Sequence, residues 1–141
     1  MKQEAWITVR GEQYFDGADP DETELTTLGT LERTEEGWLV AYEESELTGM
    51  AGTVTTFAIR PERVVLRRSG SVNSEMIFEE GLAHTSLYEM EFGTLTVDVH
   101  TESLRAKISA HGGVLEIRYQ IAVDHHLTGR NCFKIHIRAK T

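Results

Sequence analysis

The sequence predicts an all-β protein whose strands close into one antiparallel up-and-down barrel. Two segments, residues 95–101 and 114–121, alternate apolar and polar side chains, which is the period of a strand with one face in a core. Short turns that contain glycine separate such segments along the chain, and no segment has a convincing helical period. Because a closed sheet has no exposed edge, a chain of successive hairpins favours closure.

Each strand is predicted from its alternation, and glycine, proline and acidic residues mark the turns. Residues 15–21 form a turn-rich loop, 35–37 and 79–81 form Glu-Glu-Gly turns, and 111–113 form a tight glycine turn. Pro61 lies at a strand boundary because proline has no backbone N–H to donate. We predict about ten strands, or eleven if 103–110 is a strand of its own, over residues 5–13, 23–33, 38–46, 53–59, 63–68, 72–78, 85–92, 94–101, 103–110, 114–123 and 131–139.

A sandwich of two sheets is the alternative architecture for such a chain. A sandwich usually needs long crossover connections between its sheets, and few loops of this chain are long enough. The short hairpin turns therefore favour an up-and-down barrel over the sandwich. Neither an internal repeat nor a low-complexity linker divides residues 1–141, so we predict a single domain.

The net charge and the cysteine content limit the classes of partner and the cellular compartment that we expect for this protein. The net charge of −9 argues against binding to a nucleic-acid backbone or to anionic lipid. No apolar run approaches the ~20 residues of a membrane-spanning helix, so we expect no membrane span. Cys132 is the only cysteine, which excludes an intrachain disulfide. Together with the absence of a signal-peptide pattern, this predicts a cytoplasmic protein.

Acidic side chains concentrate between residues 16 and 46, where eleven Asp and Glu residues accompany Arg33 as the one basic residue. A solvated outer face explains this distribution. The functional alternative is an interaction module, in which a solid barrel carries an acidic outer surface that binds a basic protein.

Polar and amphipathic side chains interrupt faces that are otherwise apolar. In residues 38–46, Tyr42 and Glu44 alternate onto the same face as Val40. In residues 85–92, Tyr88 and Phe92 share one inward face. The candidate residues of a ligand site in the barrel lumen are Trp38, Tyr42, Glu44, Thr55, Arg68, Tyr88 and Tyr119.

Glu44 and Arg68 allow two interpretations. A lone buried charge is unfavourable, so one interpretation is an internal ion pair or a hydrated position at a strand end. The other is a lumen that binds a small, partly apolar, anionic molecule, with Arg68 holding the anion and tyrosines lining the wall. Since Arg67 precedes Arg68, a register slip of one residue would exchange their faces.

No pattern in the chain predicts a catalytic or metal site. Glu43 and Glu44 are adjacent, so in a strand they point to opposite faces and cannot act as a carboxylate pair. The histidines at 125–126 lie in a predicted turn, and His100 and His136 alternate outward. We therefore assign no catalytic residue, metal or cofactor. An enzyme stays a third alternative, which would need a cleft in which Glu44, Arg68 and a tyrosine converge.

Short motifs occur in a specific order along nearly the whole chain: Tyr42-Glu43-Glu44, Thr55, Arg68-Ser69-Gly70, Phe78, Gly81, Tyr88, Phe92-Gly93, Thr101 and Tyr119. In this combination the chain resembles the YwiB-like family of small bacterial proteins, which is described as a calycin-like β-barrel family of unknown function. The resemblance implies a barrel like that of lipocalins or fatty-acid-binding proteins. It implies no activity and no catalytic residue, and the small-molecule binding of many calycins is an analogy at the level of the fold.

Overall fold

The computed structural model of the protein describes residues 2–14, 21–45, 50–90 and 92–140, with the backbone alone at Tyr14, Asp21, Met90, Leu127 and Thr128. These residues form strands and turns and contain no helix. The strands are β1 (Lys2–Tyr14), β2 (Asp21–Arg33), β3 (Trp38–Glu43), β4 (Val54–Ile59), β5 (Arg63–Ser69), β6 (Asn73–Glu79), β7 (Ala83–Met90), β8 (Gly93–Ser109), β9 (Gly112–Val123) and β10 (His126–Ala139).

The ten strands form one closed barrel. Each strand pairs antiparallel with the next along the chain, and β10 pairs with β1 to close the sheet. The predicted all-β class, the antiparallel up-and-down topology and the number of strands are confirmed, and the sandwich is excluded because there is a single closed sheet. Within the described ranges, no helix is long and apolar enough to cross a bilayer.

Alternation along each strand separates the core from the outer face. In β9, Leu115 and Ile117 have no exposed surface and Tyr119 is 4% exposed, whereas Arg118 between them is exposed. Phe57, Leu66, Phe78 and other inward side chains from around the barrel complete the core. Burying one such side chain contributes about 1.5–3 kcal/mol, so the inward face of each strand specifies its register.

β8 is one strand of 17 residues rather than the two strands predicted over 94–101 and 103–110. Thr101 opposes Tyr119 in β9 and Ser103 opposes Arg118, which leaves Glu102 as an extra residue in a β-bulge. The bulge reverses the alternation, so Leu104 returns to the core side after Thr101. This phase change is why the sequence pattern divided the strand in two.

Two predicted strands end earlier in the structure. β3 ends at Glu43, whereas the prediction extended to residue 46, which lies outside the described residues. β7 ends at Met90, so Phe92 lies in the following turn and is 87% exposed. The prediction that Phe92 faces inward is therefore wrong, because strand alternation does not apply to a turn residue.

The turn between β9 and β10 is shorter than predicted. Asp124 and His125 have φ values of 50° and 67°, which is the left-handed pair of a two-residue type I′ hairpin turn. β10 therefore begins at His126 instead of residue 131, and an irregularity between Leu127 and Gly129 adjusts its register with β9.

β6 and β7 form the shortest ladder of the barrel. Their described backbones pair only at Asn73 with Glu89 and at Ser74 with Tyr88. Beyond these pairs, the His84 ring nitrogen Nε2 lies 3.2 Å from the Glu79 carboxylate, so a side-chain contact joins the strands where the backbone ladder is missing. We call this boundary the β6–β7 seam.

Gly29 permits a close approach between β2, β3 and the core. A Cβ atom added to Gly29 would lie 2.2 Å from the Ala41 carbonyl oxygen and 2.4 Å from the Ile7 side chain. It would also lie 3.1 Å from the Cβ of Tyr42. The absence of a side chain at this position therefore allows Tyr42 to lie where it does.

We predict that Gly29→Ala destabilises the protein by about 2–3 kcal/mol, because the added methyl group overpacks the core against backbone. Gly11→Ala is the matched control, since its Cβ would meet only the Thr23 hydroxyl at 3.1 Å and the Phe133 ring at 3.7 Å. Urea unfolding followed by tryptophan fluorescence measures both variants. Equal losses of unfolding free energy in the two variants would contradict the close approach at Gly29.

Candidate functional site

Strand register brings most of the predicted lumen residues into one continuous row. Tyr42 opposes Thr55, Thr55 opposes Arg68, Arg68 opposes Ser74, and Ser74 opposes Tyr88. Directly opposed side chains have Cβ atoms about 4.5–5.5 Å apart, so each residue contacts the next across the strand boundary. We call these five residues of β3 to β7 the polar row.

Glu44 lies one step beyond the polar row, just after the end of β3. Its backbone N–H donates to the Thr53 carbonyl at 2.8 Å, and the Thr53 hydroxyl is 2.8 Å from the Ser71 hydroxyl. Ser71 in turn donates to the Ala51 carbonyl at 2.8 Å. These turn contacts hold Glu44 with its side chain only 7% exposed.

An aromatic chain crosses the lumen beside the polar row. The ring of Tyr42 stacks on Phe57 at 6.5 Å between centroids, and Phe57 meets Phe133 edge-on at 6.4 Å. Phe133 lies 5.7 Å from Tyr119, which lies 4.9 Å from Phe78. These offset and edge-on pairs are the preferred aromatic geometries, and they give the polar row an apolar floor.

Several buried polar atoms in this region have no hydrogen-bond partner among the described residues. Those on inward side chains are Glu44 Oε2, Thr55 Oγ1, Arg68 Nε, Ser74 Oγ and Thr101 Oγ1. An unsatisfied buried polar group costs about 1–3 kcal/mol. These atoms therefore mark the positions inside the barrel where further hydrogen bonds can form.

Glu44 and Arg68 do not form the ion pair that one of the two interpretations allowed. No ion pair found among the described residues joins them, and each has a buried atom without a hydrogen bond. The register places Arg68 inward, as predicted, whereas Arg67 points outward and pairs with Glu75 at 2.6 Å. The ion pair is therefore absent, whereas the other form of that interpretation, a hydrated position at a strand end, stays a prediction for Glu44, which lies just after the end of β3.

The phenols of Tyr42 and Tyr119 lie in the field of Arg68. Burial is the main cause that raises the pKa of both phenols well above the ordinary value of 10.0, and the nearby Glu44 carboxylate raises the pKa of Tyr42 further. The positive charge of Arg68 lowers the pKa of both phenols against this trend. Both hydroxyls therefore stay protonated at neutral pH and can donate hydrogen bonds.

Two cavities meet at Tyr119. One of about 340 Å³ is lined by residues of β1, β2, β9 and β10, among them Gln13, Thr23, Asn131 and Phe133. The other, of about 400 Å³, shares Tyr119 and Asn131 with it and extends to Glu102 at the bulge. Both volumes lie in the range of small-molecule sites.

Trp38 and Tyr88 differ in their relation to this region. Tyr88 ends the polar row and is half-buried against the core. Trp38 faces inward opposite Ile59, but it lies four residues before Tyr42 in β3, about 13 Å along the strand. It lines a separate cavity of about 270 Å³ at the other end of the barrel, with the Arg33 guanidinium 5.1 Å from its ring centroid. The structure therefore does not bring Trp38 together with the other candidates.

Ser74 and Thr101 are buried polar residues that the candidate set lacks. Ser74 shares an inward face with Met76 and Phe78, and Thr101 follows Val97 and Val99 in the same alternation. The sequence signal was therefore present at both positions. A small hydroxyl side chain on an apolar face is a weaker indication of a polar site than a tyrosine or an arginine.

The described residues contain no cluster of three or more His, Cys, Asp or Glu side chains able to hold a metal ion. His100 and His136 are exposed, as predicted from alternation. His125 lies 2.9 Å from Asp98, whose pKa is lowered first by a hydrogen bond from Thr85 and then by His125. This exposed group stabilises the β9–β10 turn.

The acidic segment divides between the outer face and the lumen. Glu22, Glu24, Glu35 and Glu43 are exposed, whereas Glu44 is buried. Asp16, Asp19 and Glu46 lie outside the described residues, as does the side chain of Asp21. Binding of a basic protein to the exposed acids stays a prediction.

Comparison with known proteins assigns the chain to a family. Residues 7–135 match the family model described as "Domain of unknown function (DUF1934)". The chain belongs to the DUF1934 family. A crystal structure of the ywiB protein from Bacillus subtilis has the same fold as this DUF1934 protein, with a TM-score of 0.88 and 21% sequence identity over 99% of this chain and 94% of that one. Among curated proteins, none matches the chain.

The raised pKa values of Tyr42 and Tyr119 predict a loss of stability at high pH in this DUF1934 protein. Because each phenol binds its proton more tightly in the folded state, stability is complete below the ordinary pKa of 10.0 and falls as the pH rises above it. Urea unfolding between pH 8 and pH 11 should show a shallower decline in a Tyr42→Phe/Tyr119→Phe variant than in the wild type, with pH 8 as the reference. Identical slopes would contradict the burial of these phenols.

Proposed function

We propose that this protein is a cytoplasmic, calycin-like barrel that binds a small, partly apolar molecule with an anionic group in its lumen. The observation that carries the proposal is the set of unpartnered buried polar atoms on Glu44, Thr55, Arg68, Ser74 and Thr101. A protein that keeps such groups dry and unpaired loses stability, and binding sites are where proteins accept this cost.

The surroundings of Arg68 support an anionic group in the ligand. Its Nε is buried without a partner, and no carboxylate of the described residues is within ion-pair distance. A guanidinium binds carboxylate, phosphate or sulfonate oxygens through charge-assisted hydrogen bonds. The phenol of Tyr119 lies near the same guanidinium and can donate to the same anion, whereas the phenol of Tyr42 is hydrogen-bonded to Glu44.

The aromatic chain supports an apolar part of the ligand, and the two cavities beside it, which are lined mainly by polar side chains, supply space. Tyr119 belongs both to the aromatic chain and to the cavities of about 340 and 400 Å³. A ligand whose charged group meets Arg68 could therefore place its apolar part against Tyr119 and Phe133. Small-molecule sites commonly combine apolar walls with a few convergent polar groups.

The cysteine content and the net charge of the chain support the proposed compartment and the expected absence of two classes of partner. The one cysteine, Cys132, is buried and free, which fits a reducing compartment. We expect neither nucleic acid nor anionic membrane as a partner, since the net charge is −9.

Native mass spectrometry of protein purified from cells without denaturation tests the proposal directly. We expect a species heavier than the chain by the mass of a small molecule, which is released on unfolding. The proposal fails if the protein carries only water and also binds none of the probes named below.

We predict that 8-anilinonaphthalene-1-sulfonate, which combines a sulfonate with aromatic rings, binds the wild-type lumen and that Arg68→Met weakens this binding at least about tenfold, the worth of one charge-assisted hydrogen bond. Arg67→Met removes the same charge from the adjacent outward position and should bind like the wild type. Fluorescence titration measures the affinity, and circular dichroism checks the fold. Equal affinities of the two variants would place the anion away from Arg68.

The same pair of variants separates a binding residue from a structural one. The ligand-free Arg68→Met variant should melt no lower than Arg67→Met, because Arg68 is half-buried with its Nε buried and unpartnered, whereas Arg67 forms an ion pair with Glu75. A much lower melting temperature for Arg68→Met would show instead that its charge stabilises the barrel. Thermal denaturation at neutral pH makes the comparison.

A further inference from the structure

The lumen holds two opposite charges that do not satisfy each other. Glu44 is 7% exposed and its Oε2 has no hydrogen-bond donor among the described residues. Arg68 presents a buried Nε donor without an acceptor. An acceptor and a donor are therefore both left open in one region of the barrel.

The two charges lie close to the same hydroxyl group. Glu44 and Arg68 both act on the phenol of Tyr42, with opposite sign. Thr55 lies between Tyr42 and Arg68 in the polar row, because it opposes Tyr42 in β3 and Arg68 in β5. The two charged groups thus flank one part of the lumen while remaining beyond ion-pair distance of each other.

A ligand with a single charge cannot satisfy this arrangement. An anion would pair with Arg68 but would bring a second negative charge towards Glu44. A cation would pair with Glu44 but would leave Arg68 open and repel it. A molecule with both an ammonium and a carboxylate group satisfies the two side chains together and adds no net charge to a buried site.

We propose that the ligand class is a small zwitterion with an apolar side chain, such as an α-amino acid, whose carboxylate binds Arg68 and whose ammonium group binds Glu44. This inference rests on the proposed function of the lumen as a binding site. The hydroxyls of Thr55 and Ser74 can accept from the ammonium group or donate to the carboxylate. The apolar side chain lies against the aromatic chain.

Three ligands that share a phenyl group and a short linker test the proposal: L-phenylalanine, 3-phenylpropionate, which lacks the ammonium group, and phenethylamine, which lacks the carboxylate. We expect isothermal titration calorimetry on the wild-type protein to give an affinity for L-phenylalanine at least about tenfold above that for either analogue, the factor of one charge-assisted hydrogen bond.

Substitution of Glu44 identifies the group that selects the ammonium. Glu44→Gln should reduce the preference for L-phenylalanine over 3-phenylpropionate to about one while 3-phenylpropionate still binds. Glu43→Gln is the matched control, because Glu43 is the adjacent residue and is exposed on the outer face. It should keep the wild-type preference. The comparison of the three ligands on the wild type decides the matter even if Glu44→Gln fails to fold.

The outcomes separate this inference from the proposed function. Binding of 3-phenylpropionate as tight as that of L-phenylalanine, and lost in Arg68→Met, would overturn the zwitterion and leave an anion-binding lumen. An unchanged preference in a folded Glu44→Gln variant would overturn the role of Glu44. Absence of binding by all three ligands and by the sulfonate probe, with no retained molecule in native mass spectrometry, would overturn both.

Discussion

The pairing register of the closed sheet is the constraint on which the rest of this structure depends. In an antiparallel ladder, the residues that share a rung and a face are fixed once one pair is fixed. Buried apolar side chains such as Phe57 and Leu66 set that register between β4 and β5, because a slip of one residue would move both to the outer face. The positions of the polar residues are then a consequence of the positions of their apolar neighbours.

The polar row illustrates this dependence. Thr55 and Arg68 oppose each other because Phe57 and Leu66 do so two residues away. The next ladder, between β5 and β6, continues the row from Arg68 to Ser74, because Leu66 opposes Met76 two residues away. Tyr42 is hydrogen-bonded to Glu44 and Thr55, but a buried polar atom remains without a partner on Glu44, Arg68 and Ser74, so the apolar core holds these groups together at a cost in stability. Binding sites are typically of this kind: the apolar core stabilises the fold, and the polar residues of the site destabilise it.

Alternation within a strand was predictable from the sequence, whereas relations between strands were not. The period of two placed Tyr42, Thr55, Arg68 and Tyr119 inward because that period is a property of a single strand. The ion pair between Glu44 and Arg68 was wrong because alternation specifies a face and not a distance. Trp38 was grouped with Tyr42 for the same reason, although the two lie four residues apart along β3 and Trp38 lines a separate cavity. Strand ends were a further source of error: β7 stops at Met90, so Phe92 is a turn residue, and Glu102 adds a bulge that inverts the pattern of β8.

The β6–β7 seam has fewer paired residues than the other strand boundaries of the barrel. Every other boundary is held by at least four opposed residue pairs of the described chain, whereas this one is held by two. One of those two is Ser74 with Tyr88, which is also the last link of the polar row. Local opening of a protein follows the boundary with the fewest backbone hydrogen bonds. Because Ser74 and Tyr88 belong both to the seam and to the polar row, opening of this boundary would also separate the last two residues of the row.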